Sequence, residues 1–166
     1  MNSGPRLDTD GDTSRRMAGI RQRGTAPELL VRRTLRKLEI GYRLNVRSLA
    51  GSPDIANKSR RFAIFVQGCY WHHHTGCKQA TIPRRNVAFW REKFVANRSR
   101  DARAIRELRQ SGYRVFVVWE CQTVDFARLS ARLSHVVARG CDFDQALFRR
   151  AGPMNPPESS SARCTL

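Results

Sequence analysis

The sequence predicts an α/β domain with a mixed central sheet flanked by helices. Three observations carry this: an amphipathic helical pattern after Thr25, a group of short β-like stretches between residues 42 and 66, and a long helical pattern leading into the apolar run Val115–Trp119. At 166 residues and 40% hydrophobic composition the chain suffices for one core and one site.

The first helix is announced by Thr25-Ala-Pro-Glu28, a capping-box pattern, followed by Val31, Leu35 and Leu38 at helical spacing. Arg32, Arg33, Arg36 and Lys37 fall on the other face. After Gly41 the stretches Tyr42–Leu49, Asp54–Asn57 and Phe62–Val66 read as strands, separated by Gly51-Ser-Pro53 and a basic turn near Arg60. A long helix spans Asn86 to Ser111 and stops at Gly112, a natural C-cap. Val115–Trp119, apolar without alternation, reads as a fully buried central strand. A last helix covers Val124 to Ala138, giving the order αβββαβα. The polar start, residues 1–14, and the Pro- and Ser-rich tail, residues 151–166, read as disordered around a domain at 15–150.

The formal charge of +17, from 31 basic against 14 acidic residues, exceeds what solubility requires and suits a polyanion such as nucleic acid. All but four of the basic residues are arginine, a bias that a GC-rich genome also produces. No apolar run reaches the roughly 18 residues of a membrane span, and the polar start lacks the apolar centre of a signal peptide. The chain therefore reads as intracellular, where five cysteines point to a metal site or to inert thiols rather than to a disulfide framework.

The most informative stretch is Gly68-Cys-Tyr-Trp-His-His-His-Thr-Gly-Cys77. Cys69, His74 and Cys77 have the short spacing of zinc ligands, and Cys121, just past the later strand, closes a tetrahedral set. Four ligands leave no open position, which describes a structural zinc; spacing alone does not decide among His72, His73 and His74. A histidine left over beside the metal loop is a ready proton carrier at neutral pH. Asp54, at a strand entry, reads either as a turn aspartate or as an oxygen ligand for magnesium. Glu28 is accounted for by the capping box, although a site role is compatible with it. Asp101 shares the inward stripe of Phe94, Ile105 and Leu108 and so requires a partner. Tyr70 and Trp71 either pack as core or protrude as a wedge between bases, and Met17, in a basic segment, offers a second wedge.

Several motifs in combination resemble the very-short-patch-repair endonuclease family: Asp54 after Gly51-Ser-Pro, the strand into Gly68-Cys-Tyr-Trp-His-His-His, Ala80-Thr-Ile-Pro-Arg-Arg-Asn86, Phe89-Trp90 with Lys93, Asn97 with Arg100-Asp101, and Val118-Trp-Glu-Cys121. The match runs from about Ser14 to Cys121. The resemblance implies a restriction-endonuclease-like fold, a structural zinc, and magnesium-dependent nicking of double-stranded DNA beside a T:G mismatch left by deamination of 5-methylcytosine. It implies that Asp54 and the Val66 carbonyl bind magnesium and that His72 is the catalytic imidazole, supported by Asp101 and Glu28. It makes Cys69, His74, Cys77 and Cys121 the zinc set, and Met17, Tyr70 and Trp71 the intercalating wedge. It further implies a cytoplasmic, nucleoid-associated monomer with mismatch-repair proteins as partners. The chain departs from the family at Val66-Gln67, where Thr-His is common, which removes an accessory histidine; the zinc loop is also one residue longer between His74 and Cys77. Two other readings keep the charge and the zinc: a DNA-binding module that does not cut, and a nuclease of the same fold with a restriction or defence target.

Overall fold

A computed structural model describes residues 11–21 and 23–137. Helices α1 (Gly11–Ala18) and α2 (Ala26–Lys37) precede strands β1 (Arg43–Leu44), β2 (Ile55–Asn57) and β3 (Phe62–Gln67). Helix α3 (Val87–Gln110), strand β4 (Arg114–Trp119), a 3-10 turn (Glu120–Gln122) and helix α4 (Phe126–Val137) follow.

The four strands form one sheet in the order β1-β2-β3-β4, with β1–β2 and β2–β3 antiparallel and β3–β4 parallel. The expected mixed sheet is therefore present. Alternation along β3 divides the core, because successive side chains leave a strand on opposite faces. Phe62 and Ile64 join Val31 and Leu35 of α2, Phe116 and Val118 of β4, and Leu129 and Leu133 of α4 on one face. Ala63 and Phe65 join Ala104, Ile105 and Leu108 of α3 on the other. The sheet thus lies between two helical layers, and the inward stripe read for α3 is its buried face.

The β4 run was expected to be a central strand, yet among the described residues it forms a sheet edge beside β3. An uninterrupted apolar run reports that both faces are covered, here by α3 and by α4; it does not report how many neighbours the strand has. Arg132 of α4 donates to the Val117 carbonyl at 2.9 Å and also bonds Gln122 Oε1. The strand expected over Tyr42–Leu49 shortens to two residues, because Asn45 adopts φ +46 and the chain turns away. Residues 11–14, expected to be irregular, begin α1, where Asp12 lies in the first turn and meets Arg15 at 2.5 Å. The rest of the predicted arm, the predicted tail, Cys141 and Cys164 lie outside the described residues. Among the described residues no helix is long and apolar enough to cross a membrane.

Candidate active site

Because β3 and β4 are parallel, their C-terminal ends lie side by side, and the loop after β3 meets the turn after β4. The loop winds tightly: His72 N donates to the Gly68 carbonyl, His73 N to Tyr70 and His74 N to Cys69. Glycine at 68 lets the Trp71 ring approach closely, since a Cβ there would stand 3.1 Å from Trp71 Cδ1 and the ring would have to shift. Two side chains hold the loop from outside: Glu120 accepts from Cys69 N at 3.2 Å, and Asn97 Nδ2 donates to the Trp71 carbonyl at 2.9 Å.

Winding the loop with His73 at φ +45 sends the three imidazoles in different directions. His73 stacks on Phe94 at 5.2 Å, and His74 stacks on Trp119 at 4.0 Å between ring centres. His72 turns to α3, where its Nδ1 lies 2.6 Å from Asp101 Oδ2. That approach is close enough for an ion pair but too poorly aligned for a regular hydrogen bond, so Nδ1 is buried without one. The partner expected for Asp101 is thus an imidazole.

The ligand atoms of Cys69, His74, Cys77 and Cys121 all lie within 4.8 Å of one another. His74 Nδ1 is 3.6 Å from Cys69 Sγ and 3.5 Å from Cys121 Sγ. Metal–sulfur bonds of about 2.3 Å in a tetrahedron put its corners about 3.8 Å apart, so this set fits a zinc ion. The extra loop residue does no harm, because Gly76 at φ +74 turns the chain back and Cys77 N donates to the His74 carbonyl. Burial pushes the Cys69 thiol up to about 12 and raises Cys121, whereas a backbone hydrogen bond from Gln79 lowers Cys77. A bound cation reverses the burial effect, since coordination deprotonates thiols outright.

A second group flanks the same strand. Asp54 Oδ2 accepts from Val66 N at 2.8 Å. Burial raises the Asp54 pKa above its usual 3.8; the Val66 hydrogen bond opposes the shift and the negative charge of Glu28 reinforces it. Glu28 is buried and heavily bonded, accepting from Gly24 N at 3.0 Å, Thr25 Oγ1 at 3.0 Å, Thr25 N at 3.4 Å and Arg32 Nη2 at 2.7 Å. The capping reading of Glu28 therefore holds, and the same residue acts electrostatically on Asp54. A half-buried carboxylate under the influence of a second one, with limited compensation, fits a hard divalent cation, and magnesium commonly uses only one or two protein carboxylates.

Tyr70 and Trp71 are half-buried in an aromatic group with Trp90 and Phe94 of α3. Lys93 Nζ lies over the rings of Trp71, Phe89 and Trp90 at 5.2 to 5.7 Å. Met17 is half-buried on α1. The roles of Gln67, Glu120 and Trp119 were missed. Gln67 is buried and donates to Asp101 Oδ2 at 3.0 Å.

The family model described as DNA mismatch endonuclease Vsr matches residues 8–79. The chain is 40% identical over 121 residues to the type II nicking enzyme V.XorIIP of Xanthomonas oryzae pv. oryzae, covering 73% of this chain and 88% of that protein. It is 38% identical over 121 residues to the type II nicking enzyme V.NmeAIP of Neisseria meningitidis serogroup A, covering 73% and 86%. It is 39% identical over 108 residues to the DNA mismatch endonuclease Vsr of Escherichia coli K12, covering 65% and 69%.

Proposed function

The chain belongs to the Vsr family of DNA endonucleases, and from that premise we propose that it nicks one strand of double-stranded DNA beside a T:G mismatch in a magnesium-dependent hydrolysis. The observation that carries this reading is that two carboxylates hold the C-terminal end of β3, Asp54 through Val66 N and Asp101 through the Gln67 amide, with the His72 imidazole 2.6 Å from Asp101. Val66 and Gln67 are consecutive, so one group grips the strand through its backbone and the other through a side chain on the α3 face.

Asp54, with the Val66 carbonyl, would hold magnesium, and Glu28 would sharpen the local negative charge that attracts it. Magnesium supplies charge neutralisation at the scissile phosphate and acidifies water. His72 carries a proton during phosphodiester hydrolysis, and Asp101 holds the ring in one orientation with Nδ1 toward the carboxylate, leaving Nε2 for the reaction. Cys69, His74, Cys77 and Cys121 hold a structural zinc that fixes the His72 loop. Tyr70, Trp71 and Met17 form the wedge that enters the base stack, and the arginine-rich surface binds phosphates without regard to sequence. The domain is of the restriction-endonuclease type and works as a cytoplasmic monomer on nucleoid DNA, alongside mismatch-repair proteins.

Relatives named as type II nicking enzymes give weight to a second reading, a nuclease tied to a restriction system. A nicking assay on duplexes with and without one T:G pair, in several flanking contexts and with or without magnesium, tests both. Magnesium-dependent nicking confined to T:G duplexes supports repair. Equal cutting of paired duplexes favours the second reading, and no cutting in any context overturns both.

A further inference from the structure

We propose that Gln67 is a positioning residue for the reaction: its amide clamps Asp101 so that the carboxylate faces His72 in one fixed orientation. The inference deepens the proposed function, because it rests on His72–Asp101 being the reacting pair. Gln67 ends β3 with only 7% of its surface exposed, a burial unusual for an amide unless it is bonded. Its Nε2 donates to Asp101 Oδ2 at 3.0 Å, and this is the oxygen that lies 2.6 Å from His72 Nδ1. The other oxygen, Oδ1, has the exposed Arg100 guanidinium at 3.7 Å, too far to fix a carboxylate.

The physical case is one of rotation. A carboxylate approached from one direction only can still swing about its terminal torsion, which is broad and roughly two-fold. An amide donor fixed in a packed strand removes that freedom. Gln67 is in register with Trp119 of β4, and Phe65, two residues earlier on the same face, is in the core against α3. An ionised carboxylate has no donor of its own, so the amide must present its NH2 to it.

Single-turnover nicking of a mismatched duplex by the full chain, with DNA affinity measured in parallel, tests this in Gln67→Leu, Gln67→Met, Asp101→Ala and Gln67→Leu/Asp101→Ala. The Met variant keeps an unbranched chain of similar length, so the test survives if the Leu variant does not fold. Both single Gln67 variants should nick about 10-fold more slowly with affinity changed by less than about two-fold, and the double variant should be no slower than Asp101→Ala. Wild-type nicking by both Gln67 variants while Asp101→Ala is slow overturns the clamp alone. Losses that multiply in the double variant also overturn it, because Gln67 would then act independently of Asp101. Wild-type nicking by Asp101→Ala overturns the reacting pair itself, and the clamp with it.

Discussion

At the scale of residues, the site places charges where the fold alone would not choose them. Asp54 shows this most clearly, since burial and the nearby Glu28 both oppose its ionisation. An ordinary aspartate titrates near 3.8, and in the folded chain Asp54 releases its proton at higher pH. Between those two values the folded state keeps a proton that the unfolded chain has lost, so stability falls as pH rises through that window and stays lowered above it. Asp54→Asn cannot ionise, yet its amide oxygen can still accept from Val66 N. In magnesium-free buffer at neutral pH it should unfold at a higher temperature than the wild type, with the advantage shrinking as pH falls toward 3.8. The same variant, like His72→Ala, should lose nicking and keep DNA affinity, as gel-shift and nicking assays will report. Glu28→Ala is expected to behave oppositely in stability. It removes a cap worth about 1 kcal/mol and leaves the Arg32 guanidinium, 12% exposed, without its carboxylate, a loss of about 3 kcal/mol or more. Urea denaturation measures this, and an unchanged midpoint would show that the Glu28–Arg32 pair carries little of the fold. Residue identities, then, were legible, but contacts across the chain were less so. Nothing local in Val66-Gln67 shows that its amide meets a carboxylate 34 positions on, and read as a motif it signified only a missing imidazole.

At the scale of elements, the aromatic group joins the loop after β3 to the first turns of α3. Tyr70 meets Trp71, Trp90 and Phe94 edge-on at 5.1 to 5.8 Å, and Lys93 caps the rings. Packing and wedge are compatible here, because the rings are half-buried and the loop is held through the backbone of Trp71 by Asn97. Trp71→Ala should therefore lower the unfolding midpoint somewhat and also reduce the preference for mismatched over paired DNA, since one base–aromatic stack contributes about 1–3 kcal/mol. Measuring the affinity ratio at constant salt decides the matter, and a destabilised protein with an unchanged ratio would leave these rings as core alone. Elements with a strong period were read well from sequence: α3 was expected over Asn86–Ser111 and forms Val87–Gln110. Elements fixed by partners were read poorly. The position of β4 at an edge depends on pairing, and the short β1 depends on a left-handed turn at Asn45, neither of which leaves a mark in hydrophobic periodicity. Helix α1 was overlooked because its residues are polar and lack an apolar stripe.

At the scale of the whole molecule, the proposed zinc would act as a single cross-link on which the site depends. Cys69 and His74 come from the loop after β3 and Cys121 from the turn after β4, with Cys121 N donating to Cys69 Sγ at 3.4 Å. The cysteines were legible because ligand chemistry restricts the choice to Cys and His, whereas spacing left His72, His73 and His74 open and only the fold brings His74 and Cys121 to the others. Without a cation, burial keeps Cys69 protonated, with a pKa of about 12, and the loop must hold three thiols and an imidazole by weak contacts. With zinc the same atoms become strong ligands, and metal affinity becomes folding free energy. One zinc per chain is the expected stoichiometry. Stripping it with a chelator should lower the unfolding temperature and abolish nicking, and zinc rather than magnesium should restore both. Cys121→Ser should bind zinc far more weakly and unfold earlier, while Cys77→Ser, whose ligand lies on the outer part of the loop, should lose less stability. The His72 contact reports the same event from inside the site: in metal-free protein the imidazole should leave Asp101, which the chemical shifts of its ring nitrogens will follow. Purified folded protein that contains no zinc, with Cys69, Cys77 and Cys121 all reacting freely with a thiol reagent, would exclude the cross-link and leave the His72 loop to be held by Glu120, Asn97 and its aromatic packing on α3.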